Sequence, residues 1–378
     1  MPASSSPIRA AVVGAGGIAK ISHLPALAEA GETVQIIAVC DVDAARANDL
    51  AGAHDVPGRY TEVGDMLAQE SPDLLVVATP PAAHREAVIA GLDAGAWVWC
   101  EKPPTLSLAE YDEISAHERD GGPYASYVFQ HRFGSAARRL REHIRAGELG
   151  APHVAVCNTL WYRSRDYFEV PWRGRWDAEG GGPTMGHGIH QMDLLLNLLG
   201  DWHEVHAVAA TLGREIETED VSFAIVRFAS GAVASIVNSL LSSRETSYLR
   251  FDFSDATVEV EHLYGYDNSH WRWTPAPHVT DQDRIASWAP AEDTPSSHRA
   301  QLADLLAAMA AGERPAASGA DGRRVMELIT AVYQSAFTGR PVTRAELDPA
   351  NPFYHSLNGG DAPAAISRLR RTETTSHA

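Results

Sequence analysis

Cysteine is scarce in this sequence, and its three copies form no pair. Cys40, Cys100 and Cys157 are odd in number, lie far apart and make no C-x-x-C motif. The pattern provides neither a disulfide framework nor a zinc-ligand framework, and it fits a reducing compartment.

Excess positive charge is also absent. The 378 residues include 31 Lys and Arg against 49 Asp and Glu, which gives a formal net charge of −18. A nucleic-acid partner needs clustered basic residues that displace counterions, and an anionic membrane surface attracts the same kind of cluster. We therefore expect neither a nucleic acid nor a membrane as a partner.

Long apolar runs and targeting signals are missing as well. No uninterrupted apolar stretch approaches 18 residues, and the N-terminus has neither a basic segment followed by an apolar one nor a twin arginine. A cytoplasmic protein is expected. The composition, 45% hydrophobic and 21% charged, is that of a folded chain, and the length predicts two domains.

A glycine turn follows the first apolar run of the chain. Residues 8–13 read as a buried strand, and Gly14 to Ala19 form G-x-G-x-x-A ahead of a helical segment. Gly14 would permit the tight turn, Gly16 would let the backbone approach a pyrophosphate, and the helix N-terminus would bind the phosphates. This arrangement predicts a dinucleotide site.

Asp41 ends the next β-branched run and is the expected partner of the adenosine ribose hydroxyls. Its charge would repel a 2′-phosphate, so NAD is expected rather than NADP, with Arg46 as the residue that could reverse the preference. The alternative role for Asp41 is an N-cap of the following helix.

Further strand–helix units follow, with strands expected near 73–81, 96–104 and 124–130. Such alternation predicts a doubly wound parallel sheet with ligands at the carboxyl ends of its strands. At one of these ends, Lys102 could hydrogen-bond a substrate hydroxyl; the alternative is an ordinary surface lysine. The predicted cofactor-binding residues are Gly14, Gly16, Gly17, Ile18, Asp41, Thr79, Pro80, His84, Glu101 and Lys102.

The order of several motifs resembles that of the Gfo/Idh/MocA oxidoreductase family. The motifs are the glycine turn with a following His-Leu-Pro, then "ATPPAAH", "EKPP", "FQHRF", "GGG…H-x-x-D" and a late "SSHRAQLADLL" block. The resemblance implies a Rossmann domain over residues 1–130. It also implies an α+β domain over 131–378, whose large, open, mainly antiparallel sheet often pairs with another subunit. A homodimer or homotetramer is therefore expected.

The resemblance further implies an enzyme that uses NAD(P) to oxidise or reduce a hydroxyl or ketone carbon of a sugar, polyol or glycoside. Lys102 corresponds to the family's strand-end lysine and His190 to the histidine of its D-x-x-x-H motif, so these two are the expected catalytic residues. The motif's Asp is replaced by Gly186. His187 or another polar group would have to take the place of that carboxylate.

Asp193, His187, Trp172 and Arg173 are the predicted substrate-binding residues. Trp172 and Arg173 belong to an aromatic, arginine-rich stretch suited to sugar rings and hydroxyls, although it could instead be a packing or subunit-contact loop. A second aromatic cluster, residues 262–273, has no assigned role.

No metal site is expected in the "GGG…H-x-x-D" segment. His187, His190 and Asp193 follow one another at spacings of three and would drift around a helix rather than face one ion. The alternative for either histidine is a buried structural role.

Two other functions stay open from the sequence. The lost carboxylate at position 186 is compatible with an NAD-dependent glycoside-cleaving or lyase-type enzyme that oxidises its substrate only transiently. The second alternative is a non-catalytic cofactor-binding regulator, which the presence of both Lys102 and His190 disfavours.

Overall fold

The computed structural model describes residues 6–370. Residues 1–5, where a targeting signal would begin, lie outside that range. No helix in the described part of the chain is long and apolar enough to cross a membrane. The described residues form two compact units: 6–105, 110–130 and 297–323 make the first, and 106–109, 131–296 and 324–370 the second.

The first unit contains a parallel sheet. Its strands, within the described residues, are β1 Ile8–Val13, β2 Val34–Cys40, β3 Gly58–Tyr60, β4 Leu74–Val77, β5 Trp97–Cys100 and β6 Ala125–Tyr127. Their order is β3-β2-β1-β4-β5-β6, and every neighbouring pair is parallel. This is the doubly wound order, which confirms the predicted Rossmann sheet.

Helices connect these strands. They are α1 Leu24–Glu29, α2 Ala44–Ala53, α3 Val63–Glu70, α4 His84–Asp93 and α5 Leu108–Ala116. A π-helical turn, Ala19–His23, precedes α1, and short 3₁₀ turns lie at Gly31–Thr33 and Pro81–Ala83.

The rest of the chain carries a larger sheet. Its strands are β7 Pro152–Tyr162, β8 Trp202–Ala210, β9 Val221–Phe228, β10 Val233–Ser239, β11 Leu241–Phe253, β12 Ala256–Glu261, β13 Trp271–Pro275 and β14 Val342–Thr343. Their order is β13-β12-β11-β7-β10-β9-β8-β14. Only the β7–β10 pair is parallel among these described strands, so the predicted mainly antiparallel sheet is confirmed.

The later helices are α6 Ser135–Ala146, α7 Pro183–Gly186, α8 Ile189–Leu199, α9 Gln282–Ala286, α10 His298–Ala311, α11 Gly319–Thr338, α12 Pro352–His355 and α13 Ala362–Leu369. Helix α10 belongs to the first unit, where its Leu302 and Leu305 share a buried core with Leu24 and Leu27. The structure therefore groups residues 297–323 with the first unit, whereas the domain boundary predicted from the sequence, at residue 130, places them in the second domain.

One face of the large sheet is open. Along β9 the burial alternates: Ala224 and Val226 are buried, whereas Phe223 and Ile225 are 53% and 59% exposed. Val208 on β8 pairs with Phe223 and is 62% exposed. Strands with a period of two thus place apolar side chains on both faces.

Candidate active site

The glycine turn has the geometry that its sequence predicts. Gly14 has φ +95°, and a Cβ there would lie 2.5 Å from the carbonyl oxygen of Ala78 at the end of β4. Its N–H donates to Cys40 O at 2.8 Å. The turn therefore crosses the carboxyl ends of β2 and β4, where a side chain would collide with the backbone.

Open space and an unsatisfied polar atom lie near this turn. A Cβ on Gly16 or on Gly17 would meet no heavy atom within 4 Å. Thr79 Oγ1 is buried and, among the described residues, has no hydrogen-bond partner. The backbone of Gly16 and Gly17 is therefore open to a pyrophosphate, and Thr79 offers a hydroxyl to a bound ligand. These residues fit a dinucleotide.

Asp41 lies against the turn. Its Oδ2 accepts from Ala15 N at 2.8 Å and its Oδ1 from Asp43 N at 2.9 Å, while Arg46 Nη2 lies 3.2 Å from Oδ1. The helix N-cap is Asp43, whose side chain accepts from Ala45 N and Arg46 N, so Asp41 is not the cap residue. A carboxylate has about four acceptor sites, so Asp41 retains capacity for ribose hydroxyls.

Three other predicted cofactor residues differ in exposure. Pro80 is exposed and Ile18 half-buried, whereas His84 is fully buried. His84 Nε2 lies 2.9 Å from Thr79 O and its Nδ1 lies 2.8 Å from Pro103 O. Both ring nitrogens thus bridge the segments after β4 and β5. A cofactor contact by His84 stays a prediction.

Glu101 and Lys102 follow β5 directly. Glu101 is buried, with Oε1 near the imidazoles of His23 and His298 and Oε2 accepting from Lys102 N at 3.2 Å. Lys102 is half-buried. The carboxylate of Glu101 is thus occupied by protein groups, whereas Lys102 keeps a partly accessible side chain at the end of a parallel strand.

In the second unit, the glycine run packs tightly beneath α7. A Cβ on Gly182 would lie 1.9 Å from Glu219 O. Gly182 N and Thr184 N donate to the Glu219 carboxylate at 3.0 and 3.1 Å, and Tyr333 donates its hydroxyl to it at 2.9 Å. Glu219 is fully buried and anchors the segment leading to His187 and His190.

His190 lies in the first turn of α8 and is 2% exposed. Its ring centroid is 5.2 Å from that of His131 and 5.6 Å from that of Tyr264, and His131 lies 4.4 Å from Tyr266. Tyr264 and a second imidazole, His131, thus lie beside His190, and Tyr266 contacts His131. Sequence reasoning missed these neighbours, although "FQHRF" and the aromatic stretch 262–273 contain them.

His187 and the arginine-rich loop lie together in the same unit. His187 Nε2 is 3.4 Å from the Tyr167 hydroxyl, and its ring contacts Trp161 edge-on at 5.2 Å. Arg173 stacks on Tyr167 and on Trp172, with distances of 3.8 and 4.3 Å to the ring centroids. Arg173 also donates to the Tyr167 hydroxyl. The predicted contacts His187, Arg173 and Trp172 are therefore part of one aromatic and cationic group.

Asp193 lies away from solvent, in an ion pair. Arg132 Nε donates to Asp193 Oδ2 at 2.6 Å, and Arg132 Nη2 donates to Oδ1. Both side chains are almost completely buried. Since the Arg132 and Asp193 side chains are only 4% and 1% exposed, a sugar contact by Asp193 would require this pair to open. That role stays a prediction.

A carboxylate from another residue lies near Gly186, the position at which the family motif has an Asp. A Cβ on Gly186 would lie 3.6 Å from Glu179 Oε1. Glu179 is 5% exposed, accepts from Gly174 N at 2.6 Å and pairs with Arg173 at 3.3 Å.

Two family models match the chain and cover most of it. "Oxidoreductase family, NAD-binding Rossmann fold" matches residues 8–127, and "GFO/IDH/MocA C-terminal domain" matches residues 137–260. The chain belongs to the Gfo/Idh/MocA oxidoreductase family. It is therefore an NAD-dependent oxidoreductase, and the residues of its glycine turn fit the cofactor.

Named relatives are similar over nearly the whole length. The chain is 27% identical over 369 residues to D-glucoside 3-dehydrogenase of Escherichia coli, covering 91% of this chain and 99% of that protein. It is 27% identical over 374 residues to D-apiose dehydrogenase of Paraburkholderia graminis, covering 93% and 94%.

Solved structures of similar proteins have the same fold as this chain. The WlbA dehydrogenase of Bordetella pertussis, in complex with NADH and UDP-GlcNAcA, has a TM-score of 0.80 at 27% identity and covers 90% of this chain and 99% of that one. A levoglucosan dehydrogenase in complex with NADH and L-sorbose has a TM-score of 0.77 at 18% identity, and shares the fold.

Proposed function

We propose that this enzyme transfers a hydride between NAD and a hydroxyl or ketone carbon of a sugar, polyol or glycoside. The observation that carries the proposal is the buried His190, enclosed by His131 and Tyr264 in a chain whose glycine turn fits NAD. The dehydrogenase names of relatives that align over almost the whole chain support the substrate class.

The proton and the hydride leave the substrate separately. NAD, when bound, accepts the hydride. His190 accepts the hydroxyl proton, because an imidazole is the side chain whose ordinary pKa lies nearest neutrality. Lys102, in this proposal, hydrogen-bonds the substrate oxygen and stabilises the charge that develops on it. The rings around His190 exclude water and strengthen these electrostatic interactions.

Aromatic and cationic side chains of the second unit bind the sugar. Trp172 and Arg173 form a stacked pair, and Arg173 retains 23% side-chain exposure. Aromatic faces stack on the apolar faces of sugar rings, and a guanidinium donates to hydroxyls or to a carboxylate. His187, held by Tyr167, contributes a further polar group.

Glu179 supplies the carboxylate that position 186 lacks. Glu179 Oε1 lies 3.6 Å from the point that a Cβ at position 186 would occupy, which is close to the region that the carboxylate of an Asp at 186 would occupy. In this proposal Glu179 orients the imidazoles of the "GHGIH" segment, and His187 acts with the substrate instead of replacing the lost Asp.

The two alternative functions are less well supported. The full-length relatives carry the names of dehydrogenases, which does not favour an enzyme that cleaves glycosides or a regulator without activity. A panel of aldoses, polyols and glucosides with NAD⁺, followed by NADH absorbance and product mass, tests the proposal. Net NADH with an oxidised product is expected. Cleavage without NADH, or no turnover of any substrate, would contradict it.

A homo-oligomer formed through the open face of the large sheet completes the proposal. Val208, Phe223 and Ile225 are exposed on neighbouring strands. An apolar sheet face of this kind is stabilised when a second copy covers it. A dimer or tetramer is therefore proposed. A cytoplasmic location, as expected from the sequence, is proposed as well.

A further inference from the structure

A buried His–Glu–His cluster lies directly before Lys102 in the first unit. His23 ends the π-helical turn, Glu101 follows β5 and His298 begins α10. His23 Nε2 lies 2.8 Å and His298 Nε2 lies 3.1 Å from the same oxygen, Glu101 Oε1. Their side chains are at most 8% exposed. Three distant segments thus meet at one carboxylate.

The contacts determine where the protons lie. A carboxylate oxygen accepts hydrogen bonds, so each imidazole presents its N–H at Nε2. Burial lowers the pKa of His23, against the opposing effects of its hydrogen bond and its charge interaction with Glu101. Burial, the largest single effect, acts to raise the pKa of Glu101, but the hydrogen bonds and charge interactions of the two histidines together outweigh it and hold that pKa well below its ordinary value. Glu101 is therefore a buried carboxylate held by two N–H donors.

The other oxygen of Glu101 contacts the peptide of the lysine. Glu101 Oε2 accepts from Lys102 N at 3.2 Å. On the next residue, Pro103 O lies 2.8 Å from His84 Nδ1. Buried imidazoles thus hold the short segment that carries Lys102 on both sides. His84 contacts this segment directly, and His23 and His298 act on it through Glu101.

His23 links this cluster to the cofactor turn. The π-helical turn begins at Ala19, the last position of the glycine motif, and ends at His23. Such turns occur frequently at functional sites. The His23 ring packs edge-on against Trp99 of β5, with centroids 4.6 Å apart. The helix that follows the glycine turn therefore contacts the strand that precedes Lys102.

We propose that His23, Glu101 and His298 form a positioning network for Lys102. The proposal rests on the proposed function, in which Lys102 polarises the substrate oxygen. The two imidazoles hold Glu101, and Glu101 holds the peptide from which Lys102 projects. Losing the network displaces the ammonium group, and a displacement of about 1 Å can slow a reaction about 10²-fold.

Hydrogen bonding fits this cluster better than a metal ion does. The cluster contains three groups able to ligate a metal, but donor atoms around a tetrahedral zinc lie about 3.3 Å apart. The two contacts to Glu101 Oε1 are shorter, at 2.8 and 3.1 Å. A metal-bound imidazole also donates its other N–H to an acceptor, whereas His23 Nδ1 has no hydrogen-bond partner among the described residues.

Because the chain contains few lysines, the positioning network can be tested without measuring enzyme turnover. Lysine occurs only at Lys20, which is exposed, and at Lys102. Protein carrying carbon-13 at the lysine side chains therefore gives two lysine environments, assigned with Lys20→Arg. The variants are His298→Leu, which removes the N–H donor, and His298→Gln, which restores one. Arg299→Gln is the matched control, because Arg299 is exposed and pairs with Glu29 on the surface.

We expect His298→Leu to move the Lys102 signal toward that of Lys20. The same variant should lower kcat about ten- to hundredfold, with the sugar KM and the NADH Kd within about twofold of the wild type. His298→Gln should return both readouts toward the wild type. Arg299→Gln should change neither.

An unmoved Lys102 signal in His298→Leu would overturn the network, as would equal movement in the Leu and Gln variants. Stoichiometric metal in the wild type that is lost in His298→Leu would also overturn it. If His298→Leu does not fold, Glu101→Gln is judged by the same lysine signal. Because that signal needs no substrate, a moved signal with unchanged kcat contradicts the role of Lys102 in the proposed function and not the network.

Discussion

The carboxylate of Glu179 lies next to the position where Gly186 lacks a side chain. Its Oε1 is 3.6 Å from the point that a Cβ on Gly186 would occupy. The glycine run between the two residues allows this approach. A buried carboxylate is thus present near the start of α8 although the residue at position 186 has none.

Exchanging these two positions tests whether the carboxylate serves the reaction. Glu179→Gln should lower kcat at least about tenfold, but by less than the about 10²–10⁴-fold expected from loss of the base itself. Gly186→Asp in the same chain should restore part of the activity, because it places an Asp carboxylate near the location of the lost Glu179 carboxylate. Glu169→Gln in the exposed part of the loop is the control. Steady-state kinetics of the wild type and of these three variants measure the effects. A double variant that is no more active than Glu179→Gln would contradict the proposal that Glu179 supplies the carboxylate missing at position 186.

His190→Ala should lower kcat about 10²–10⁴-fold and leave NADH affinity nearly unchanged. In the proposed reaction His190 accepts the substrate proton, and it is not one of the residues of the glycine turn that would bind the cofactor. His187→Ala is the comparison and should have a mild effect. A loss in His187→Ala equal to that in His190→Ala would mean that His187, and not Glu179, has replaced the lost Asp. Full activity of His190→Ala would make the assignment of the base wrong.

Asp41 should determine the choice of cofactor. We expect the wild type to bind NADH more tightly than NADPH, since the Asp41 carboxylate repels a 2′-phosphate and accepts ribose hydroxyls. Asp41→Asn should reduce this preference about tenfold or more, because each hydrogen bond to a charged group contributes about 1.5–3 kcal/mol. Asp43→Asn removes the same charge two residues away and keeps a good N-cap, so it should retain the preference. Fluorescence titration measures the affinities, and tighter NADPH binding by the wild type would refute the prediction.

Glu219 should make stability fall as the pH rises. Burial, opposed by its hydrogen bonds, raises the pKa of Glu219 from 4.5 to about 7. Since the folded-state value is the higher one, its contribution to stability is complete below about pH 4.5 and is lost as the pH rises through about 7. The difference corresponds to about 3 kcal/mol. Urea unfolding from about pH 5 to pH 8.5 should show this loss in the wild type but not in Glu219→Gln. Parallel pH profiles of the two proteins would contradict it.

Ile225→Glu should convert the proposed homo-oligomer to a monomer. A charge on the open face of the large sheet would be buried against a second copy without a partner. Ile21→Glu is the matched control, because Ile21 is also an exposed isoleucine, at 75%, but lies in the first unit. Light scattering at micromolar concentration gives the mass. A monomeric wild type, or dissociation by Ile21→Glu alone, would rule out the proposed interface.

Local patterns in the sequence determined the first sheet and the cofactor turn. The G-x-G-x-x-A spacing and the position of Asp41 after β2 depend on neighbouring residues, and the structure has both where expected. Strands β4, β5 and β6, at Leu74–Val77, Trp97–Cys100 and Ala125–Tyr127, are shorter than the expected runs 73–81, 96–104 and 124–130. The order of the motifs also carried the family assignment, which the family models confirm. The motif order also points to His190, whose motif and helix are contiguous, and its catalytic role stays a prediction.

Only the tertiary structure decided which distant groups meet. Arg132 and Asp193 are separated by 61 positions, and His298 and Glu101 by 197, yet each pair shares a buried hydrogen bond. Tyr264 reaches His190 in the same way, from an aromatic stretch without an assigned role. Asp193, His84 and Glu101 belong to motifs of the sequence, but the protein groups that their polar atoms contact come from other segments; their roles toward substrate or cofactor stay predictions. Periodicity indicates which face of a strand or helix is buried. Which residue packs against that face depends on how the elements pack together, and the local sequence pattern does not encode this pairing.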